Sequence, residues 1–547
     1  MMSVHGPAAT ERMENGATMF RVLVADPIAA EGLAPLAEDG RFELVNRHGL
    51  SGDALAEAIA TADAVIVRST TRITRASLAG ADRLKVIGRA GVGVDNIDVE
   101  AATERGIAVL NAPSGNTISA AELGFALLLA VVRRIPAADR SMKAGEWDRK
   151  RFNGWELHGK TLGLVGAGRI GGEVARRARA FGMKVIAHDP HLSGERAAAL
   201  EIELVPLHDA LRRADVVSLH VPLTAATAGM IDAGRIALMK PGAVLVNASR
   251  GGVLDENALA AALESGRLAG AALDVFAEEP PPADHPLRRL DTVVLTPHLG
   301  AATTEAQQNV AIEIAEAVRV ALVHGDLSRA VNAPAIGGDE LRRLRPLLDL
   351  AEQLGRLGCV MATGPVTGVQ LRYAGPLEEV TRSLASATLV GVLRDAVGAG
   401  AVNLVNAIRL AEARGIGVER MKLGAHGPYE EFIEVRLRSG GHEMRVAGAL
   451  VAGRHPRIVR IDRFRVVVRP RGTLVILRNR DVPGVIGRVG TLLGNAGVNI
   501  GEYHQARLQA GGDALAAISV DGTLPEQVVR ELEASPDVLE VRQVELG

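Results

Sequence analysis

The feature that most constrains the fold is a glycine-rich turn that directly follows an apolar strand. Residues 161–165, Thr-Leu-Gly-Leu-Val, run into Gly166-Ala-Gly168-Arg-Ile-Gly171, which opens a predicted helix. Glycines at this spacing allow a tight turn and let a pyrophosphate approach the amides of the helix N-terminus. The turn therefore predicts a doubly wound α/β sheet with a dinucleotide site. The alternative is a glycine-rich turn in a fold that binds nothing.

An acidic residue follows the next predicted strand. Asp189 lies where a carboxylate would accept hydrogen bonds from the adenosine ribose hydroxyls, and its charge would repel a 2'-phosphate. The expected cofactor is therefore NAD, lined by the glycines together with Arg169 and Ile170. The alternative is that Asp189 only caps Pro190 and the following loop.

Length, charge and cysteine content exclude several classes of protein. The 547 residues require several domains, and 62 basic against 64 acidic side chains give no overall field for nucleic acid or an anionic membrane. No run approaches the ~20 apolar residues of a membrane span. The single cysteine, Cys359, excludes intrachain disulfides and fits a cytoplasmic location. The histidines show no metal-ligand spacing.

Two α/β units are predicted in the first 330 residues. Short β-branched runs alternate with helical stretches from residue 20 to about 109, which predicts a first, flavodoxin-like lobe. A Rossmann-like second series follows, with six predicted strands at 161–165, 184–187, 216–220, 243–247, 270–275 and 292–296. A helix over 117–134 bridges the lobes in this prediction, and a helix over 303–324 returns to the first lobe.

Two further modules are predicted beyond the connector Asn332-Ala-Pro-Ala-Ile-Gly-Gly. Helices at 377–385 and 403–414 and strands at 431–437 and 463–468 predict an α+β intervening domain. The last segment has the β-α-β-β-α-β order of a ferredoxin-like fold. The predicted units are a disordered tail or untranslated stretch (1–18), a discontinuous substrate-binding domain (19–116 and 301–330), an NAD-binding domain (117–300), the intervening domain (331–471) and a regulatory domain (472–547).

Three chemically complementary side chains lie just beyond predicted strands of the second series. Oxidation of a 2-hydroxy acid needs a cation for the carboxylate, a base for the hydroxyl proton and a carboxylate that orients the base. Arg250, Glu279 and His298 supply these groups at the sheet edge where open α/β sheets bind ligands. The alternatives are a surface Arg–Glu pair and a structural histidine after Pro297.

Residues 166–171, 247–252, 274–280 and 297–301 resemble the signatures of the D-2-hydroxyacid dehydrogenase family. The resemblance implies that Arg250 anchors the substrate carboxylate and carbonyl, that His298 is the acid/base with Glu279 as its ionic partner, and that a hydride passes from C2 to the nicotinamide. It implies that Asp274 holds the nicotinamide ribose or orders the site. The other implied cofactor contacts are Ala248, Ser249, Arg250, His298, Gly300 and Ala301.

Cations in the first lobe favour a phosphorylated substrate. Arg68 and Arg89 lie in loops after predicted strands, Gly91 and Gly93 can point amides at an anion, and Asn96 can hydrogen-bond nearby. The alternative for each arginine is a surface salt bridge. These loops and the two added modules resemble family members that oxidise 3-phosphoglycerate to 3-phosphohydroxypyruvate in serine biosynthesis.

A basic segment after the bridging helix carries the prediction of an oligomer. Residues 147–152, with Arg149, resemble a segment that reaches a neighbouring subunit's active site, and the resemblance implies a homotetramer. The alternative is a solvated charged face.

The last module resembles ACT domains in the segments around Pro483-Gly484 and Val498-Asn499. The resemblance implies that Asn479, Asp481 and Asn499 contact serine as an effector. Arginines between residues 454 and 465 fit either an anionic effector or the solvent face of a strand. Two other functions stay open: another 2-hydroxyacid dehydrogenase and an NAD-binding scaffold like the corepressors of this fold. Reduction of 2-oxoglutarate is also left open.

Overall fold

The computed structural model describes residues 19–377, 380–398, 400–424 and 428–546, so the predicted tail lies outside the described residues. These residues form four β-sheets with helices packed against them. Among the described helices, none combines the length and apolar character that crossing a membrane requires.

The first sheet is parallel, in the order β2-β1-β3-β4-β5, which is the flavodoxin-like order. Its central strand β3 is buried throughout, because helices cover both faces of the sheet. The strands are β1 (Phe20–Val24), β2 (Phe42–Asn46), β3 (Ala64–Val67), β4 (Val86–Arg89) and β5 (Ala108–Asn111). The helices are α1 (Ala34–Ala37), α2 (Gly52–Ala60) and α3 (Val99–Glu104).

The second sheet is parallel and has seven strands in the order β12-β11-β10-β9-β6-β7-β8, a doubly wound arrangement. Its strands are β6 (Thr161–Val165), β7 (Lys184–His188), β8 (Glu203–Leu204), β9 (Val216–Leu219), β10 (Ala243–Asn247), β11 (Leu268–Leu273) and β12 (Val293–Leu295). The helices are α4 (Thr117–Val132), α5 (Ile135–Lys143), α6 (Arg169–Ala180), α7 (Gly194–Ala199), α8 (Leu207–Arg213), α9 (Ala233–Leu238) and α10 (Glu256–Glu264).

The six strands predicted for this sheet are present, with two differences. The edge strand β8 was not predicted, because its two exposed residues carry no periodic signal. Strand β11 ends at Leu273, so Asp274 belongs to the loop that follows it.

Helix α11 (Thr304–His324) returns to the first lobe, as the sequence predicted. The Thr303 side chain caps its N-terminus by accepting a hydrogen bond from the Ala306 amide, and Gly325 ends it in the left-handed region at φ 69°. Its buried face, which includes Val310 and Ile314, packs in the core of the first sheet.

The third sheet was the least well predicted. Its order is β14-β13-β15-β16-β17-β18, antiparallel except for the parallel pair β13 and β14. The sequence predicted only β15 and β18 and missed helix α12. The strands are β13 (Val366–Ala374), β14 (Gly417–Leu423), β15 (Phe432–Ser439), β16 (His442–Val451), β17 (His455–Ile461) and β18 (Phe464–Val468), with helices α12 (Gly338–Met361), α13 (Thr381–Val397) and α14 (Ala407–Ala413).

Both helices predicted in this domain differ from the observed ones. The helix expected at 377–385 is the longer α13, and residues 378 and 379 lie outside the described residues. The helix expected at 403–414 begins only at Ala407, because Asn403 and Asn406 side chains bond nearby backbone in a turn.

The fourth sheet is antiparallel in the order β20-β21-β19-β22, which is the ferredoxin-like order that the sequence predicted. Its elements are β19 (Gly472–Arg480), α15 (Val485–Asn495), β20 (Ile500–Arg507), β21 (Asp513–Val520), α16 (Glu526–Glu533) and β22 (Val538–Leu546). One face packs on its own helices, while Leu474 and Ile476 belong to the core around α12. The hydrophobic core is therefore continuous across the predicted boundary at residue 471.

Candidate active site

The glycine turn after β6 has the geometry that a dinucleotide pyrophosphate needs. Gly166 has φ 91°, and a Cβ atom there would collide with the His220 carbonyl, while one at Gly171 would collide with the Gly166 carbonyl. Gly168 faces open space at the N-terminus of α6, beside Arg169. The open first turn of the helix fits a bound phosphate group.

Asp189 supports this turn from the end of β7. Its Oδ2 accepts a hydrogen bond from the Ala167 amide at 2.9 Å, and its Oδ1 accepts one from the His191 amide at 2.8 Å. The residue therefore both ties down the glycine turn and caps its own loop. Because each carboxylate oxygen can accept more than one hydrogen bond, a ribose hydroxyl can still donate to it.

Glu279 and His298 form a hydrogen-bonded pair at the mouth of the cleft. His298 Nδ1 and Glu279 Oε2 are 2.7 Å apart, and Glu279 Oε1 accepts a hydrogen bond from the Phe276 amide at 3.1 Å. The imidazole is half exposed, and its Nε2 has no partner within the described parts of the chain. A ring held by one nitrogen and open at the other is suited to accept a substrate proton.

Asp274 holds the loop that carries this histidine. It is fully buried, and its carboxylate accepts hydrogen bonds from the Thr296 hydroxyl at 2.6 Å and from the Leu299 and Gly300 amides at 2.7 and 2.9 Å. His298 itself is in the left-handed region at φ 54°, a conformation that costs energy and needs such support. Asp274 was expected either to hold the nicotinamide ribose or to order the site, and these hydrogen bonds serve the second role.

Arg250 is positioned by the loop after β10. Buried Asn247 accepts hydrogen bonds from the Ser249 amide and hydroxyl at 3.1 and 2.9 Å and donates one to the Arg250 carbonyl at 2.9 Å. The guanidinium donates from Nη1 to the Ser249 carbonyl at 2.7 Å and from Nε to Asp95 at 3.2 Å. The sequence predicted no role for Asn247, which opens the family-like segment 247–252, or for Asp95, which precedes Asn96.

The first lobe contributes a half-buried cation beside Arg250. The pKa of Arg89 is lowered to about 10, first by burial and then by the positive charge of Arg250, and Arg68 adds to the effect. Arg89 Nε is buried and has no hydrogen-bond partner among the described residues. Side chains at Gly91 and Gly93 would collide with the Arg89 and Arg250 guanidinium groups. Among the described carboxylates only Asp95 pairs with one of these three arginines, so positive charge is in excess and an anion fits the cluster.

Asn96 holds the backbone of the Arg68 loop, and its contact with the substrate stays a prediction. Its amide nitrogen donates to the carbonyls of Arg68 and Thr71 at 2.8 and 2.6 Å. Buried Asp26, which follows β1, accepts a hydrogen bond from the Arg68 amide at 2.6 Å. Asn96 and Asp26 therefore fix the Arg68 loop, and the sequence analysis missed Asp26.

A buried histidine beside the glycine turn was also missed. His220 follows β9, and its Nε2 lies 2.9 Å from the Ser218 hydroxyl. Its Nδ1 is buried and has no partner among the described residues. Burial lowers the pKa of His220 to about 4, so the ring is uncharged at neutral pH. A polar residue directly after a buried strand was the available signal.

The remaining predicted cofactor residues lie after β10 and β12 and in the first turn of α6. Ala248 and Ser249 lie in the loop after β10, and Gly300 and Ala301 lie between His298 and α11. Ile170, in the first turn of α6, is half-buried against the core of the second sheet.

Arg149 does not join the cleft of its own chain. It is exposed and lines a separate cavity of about 300 Å³ together with Met142 and Phe152. Trp147 beside it is 77% exposed. A role for Arg149 in a neighbouring subunit's site stays a prediction.

Of the three predicted effector residues, Asn499 is separated within one chain from Asn479 and Asp481. Asp481 accepts hydrogen bonds from Arg507 and the Gly511 amide, and Arg507 lowers the pKa of its carboxyl. Asn499 donates to Asp521 at the other end of β20, an eight-residue strand of about 26 Å. Asn479 is fully buried and donates to its neighbour's carbonyl. Over the described residues no group of His, Cys, Asp and Glu side chains could hold a metal.

Family models match most of the chain. Residues 125–300 match the NAD-binding domain of D-isomer specific 2-hydroxyacid dehydrogenases, residues 343–462 match the D-3-phosphoglycerate dehydrogenase intervening domain, and residues 473–537 match the ACT domain. The first match contains the glycine turn, Asp189 and the Arg250, Glu279 and His298 set.

Curated relatives match over nearly the whole length. The D-3-phosphoglycerate dehydrogenases of Methanocaldococcus jannaschii and Bacillus subtilis are 44% and 40% identical to this chain, over 96% of it and 100% of their own length. Among solved structures, D-lactate dehydrogenase from Aquifex aeolicus, complexed with NAD and lactic acid, is 30% identical with a TM-score of 0.51, covering 57% of this chain and 99% of that one. The chain is an NAD-dependent oxidoreductase and belongs to the D-3-phosphoglycerate dehydrogenase family.

Proposed function

We propose that this chain oxidises 3-phospho-D-glycerate to 3-phosphohydroxypyruvate with NAD, the first step of the phosphorylated route of serine biosynthesis. The observation that carries the proposal is the convergence of Arg68, Arg89 and Arg250 from both lobes on the cleft that holds the Glu279–His298 pair. A substrate with a carboxylate and a phosphate needs two cationic sites, and a simple 2-hydroxy acid needs one.

Each catalytic group has a defined task in this proposal. Arg250 binds the substrate carboxylate and polarises the C2 oxygen, and His298 Nε2 accepts the hydroxyl proton. Glu279, 2.7 Å from Nδ1, stabilises the imidazolium that forms. NAD, when bound, supplies the hydride acceptor, and the residues that would hold it are the glycine turn, Asp189, Ala248, Ser249, Gly300 and Ala301.

The phosphate binds in the first lobe. Arg89 has a buried, unpaired Nε and Arg68 lies in an anchored loop, so both can donate to a phosphate without first breaking a bond to a carboxylate of the described residues. The turn around Gly91 and Gly93 adds backbone amides. In a homotetramer, Arg149 of a second copy would add charge to this site.

Serine is the proposed effector of the last domain. Because Asp481 and Asn499 lie at opposite ends of β20, a serine that contacts both must lie between two copies of the chain. Light scattering of the purified chain tests the tetramer, and inhibition by L-serine tests the effector. The cytoplasmic location stays a prediction from the single cysteine.

The central experiment measures NADH absorbance with purified chain, NAD and either 3-phosphoglycerate, D-glycerate or D-lactate at alkaline pH, which removes the released proton. We expect kcat/KM for 3-phosphoglycerate to exceed that for D-glycerate by about a hundredfold, since the phosphate contacts are charge-assisted. Absence of turnover, or equal kcat/KM for the two, would contradict the proposal.

A further inference from the structure

An ion pair crosses the catalytic cleft between the two lobes. Arg250, in the loop after β10 of the second sheet, donates from Nε to Asp95 Oδ2 at 3.2 Å. Asp95 belongs to the turn after β4 of the first sheet, 155 residues earlier in the chain. The substrate-binding arginine is thus held partly by the lobe that it faces.

The two partners of Arg250 fix the plane of its guanidinium group. Nη1 donates to the Ser249 carbonyl at 2.7 Å, and Nε is held by Asp95. Because the group is planar, these two bonds also determine where Nη2 lies. Nη2 lies beside Gly93, so close that a Cβ atom there would collide with it.

Charge also favours a carboxylate at this position. Arg250 lowers the pKa of Arg89 by repulsion, while Asp95 raises it. Asp95 therefore lies close enough to both cations to offset their repulsion. Within the described parts of the chain, no other carboxylate pairs with Arg250, so without Asp95 only the bond to the Ser249 carbonyl would hold the guanidinium beside Arg89.

The geometry assigns Asp95 as a positioning residue for Arg250. Asp95 orients the guanidinium toward the substrate carboxylate, and it does so only when both lobes are in place. Asp95 acts through Arg250 and does not itself touch the substrate. The assignment rests on the proposed function, since that identifies the carboxylate that Arg250 binds.

Asp95→Ala, Asp95→Asn and wild type are compared in steady-state kinetics with 3-phosphoglycerate and in NADH binding by fluorescence. We expect Asp95→Ala to lose about tenfold in kcat/KM, mostly through KM, because a half-exposed charge-assisted bond is lost. Asp95→Asn keeps an oxygen acceptor for Nε and should recover most of the loss. NADH affinity should stay within about twofold, since the glycine turn and Asp189 are untouched.

Glu57→Ala is the matched control, because Glu57 is an exposed carboxylate on the same lobe. Glu57→Ala should leave KM unchanged, which would distinguish the effect of the Asp95–Arg250 ion pair from that of the general negative charge of the lobe. A purely structural role of Asp95 would lower the active fraction and kcat of Asp95→Ala without raising KM. An unchanged KM in Asp95→Ala, or equal losses in Asp95→Ala and Glu57→Ala, would overturn the assignment.

Chemical modification tests Arg250 without the substrate. Phenylglyoxal, with peptide mapping by mass spectrometry, should modify Arg250 several-fold faster in Asp95→Ala than in wild type, and equal rates would overturn the assignment. If wild type does not turn over 3-phosphoglycerate, the proposed function fails while this measurement still decides about Asp95. If wild type oxidises 3-phosphoglycerate but Asp95→Ala changes neither KM nor the rate at which phenylglyoxal modifies Arg250, only the assignment of Asp95 fails.

Discussion

The catalytic cleft and the ACT domain place their ligand-binding residues in opposite ways. In the cleft, parallel strands bring Arg250 and the loop of His298 to one edge of the second sheet, and Arg89 ends a parallel strand of the first sheet, which the Arg250–Asp95 bond joins to that edge. In the ACT domain, antiparallel strands leave Asp481 and Asn499 at opposite ends of one sheet. We therefore expect one chain to supply the Arg250, Glu279 and His298 set, whereas the proposed effector site needs a second chain.

The largest expected effect tests whether one chain completes the cleft. His298→Asn removes the proton acceptor and should lower kcat roughly a thousandfold with little change in NADH affinity. Glu279→Gln keeps a hydrogen-bonding partner but removes the negative charge and should lose less, about tenfold to a hundredfold. Steady-state kinetics with 3-phosphoglycerate measure both. A His298→Asn enzyme with wild-type kcat would exclude His298 as the base.

The next effect concerns the cations of the first lobe. Arg89→Ala should raise the KM for 3-phosphoglycerate about thirtyfold, because a partly buried charge-assisted contact is lost, while NADH affinity is retained. Arg105→Ala is the control, since Arg105 lies on the same lobe and pairs with Asp82. Similar KM values for the two variants would show that the phosphate binds elsewhere.

The effector site can be tested by mixing variants. Asp481→Ala and Asn499→Ala homo-oligomers should each lose about tenfold in sensitivity to L-serine, as one polar contact is removed. Co-expression of the two variants should restore part of the inhibition, because a mixed pair of chains contains one intact site. Failure of the mixture to recover, after each variant alone has lost inhibition, would place both residues in a site within one chain.

The smallest effect compares the two regions under acid. Burial lowers the pKa of His220 from 6.5 to about 4, so its contribution to stability is complete above pH 6.5 and is lost as the pH falls towards 4. The pKa of Asp481 is lowered from 3.8 by Arg507, so its contribution is lost only at still lower pH. The glycine turn should therefore loosen before the ACT sheet.

Hydrogen exchange by mass spectrometry measures this order. At about pH 4.5, peptides covering 161–171 should exchange a few-fold faster than at neutral pH after correction for intrinsic rates, while peptides covering 473–481 should not. His220→Gln, which cannot take up a proton, should remove the difference. Equal acid response in wild type and His220→Gln would refute the role of His220.

How well strands could be predicted from the sequence differed between the parallel sheet and the mostly antiparallel sheet of the intervening domain. The strands of the doubly wound sheet were found to within one or two residues, since strands buried on both faces are continuous apolar runs. In the intervening domain, the arginines that the sequence assigned either to an anionic effector site or to the solvent face of a strand lie on and around β17 (His455–Ile461) and β18. A register shift between Ile458 and Arg460 interrupts the period-two alternation there, so the sequence did not define the bounds of β17.

The sequence alone determined the glycine turn, the NAD preference and the order of Arg250, Glu279 and His298, because local spacing places these residues at strand ends. Only the tertiary structure decided which distant groups support them. Asp95 accepts a hydrogen bond from Arg250, Asp274 accepts hydrogen bonds from the His298 loop, and Asn96 donates one to the Arg68 loop. The physical reason is that such hydrogen bonds join residues far apart in the chain, and their positions follow from how the sheets and lobes pack.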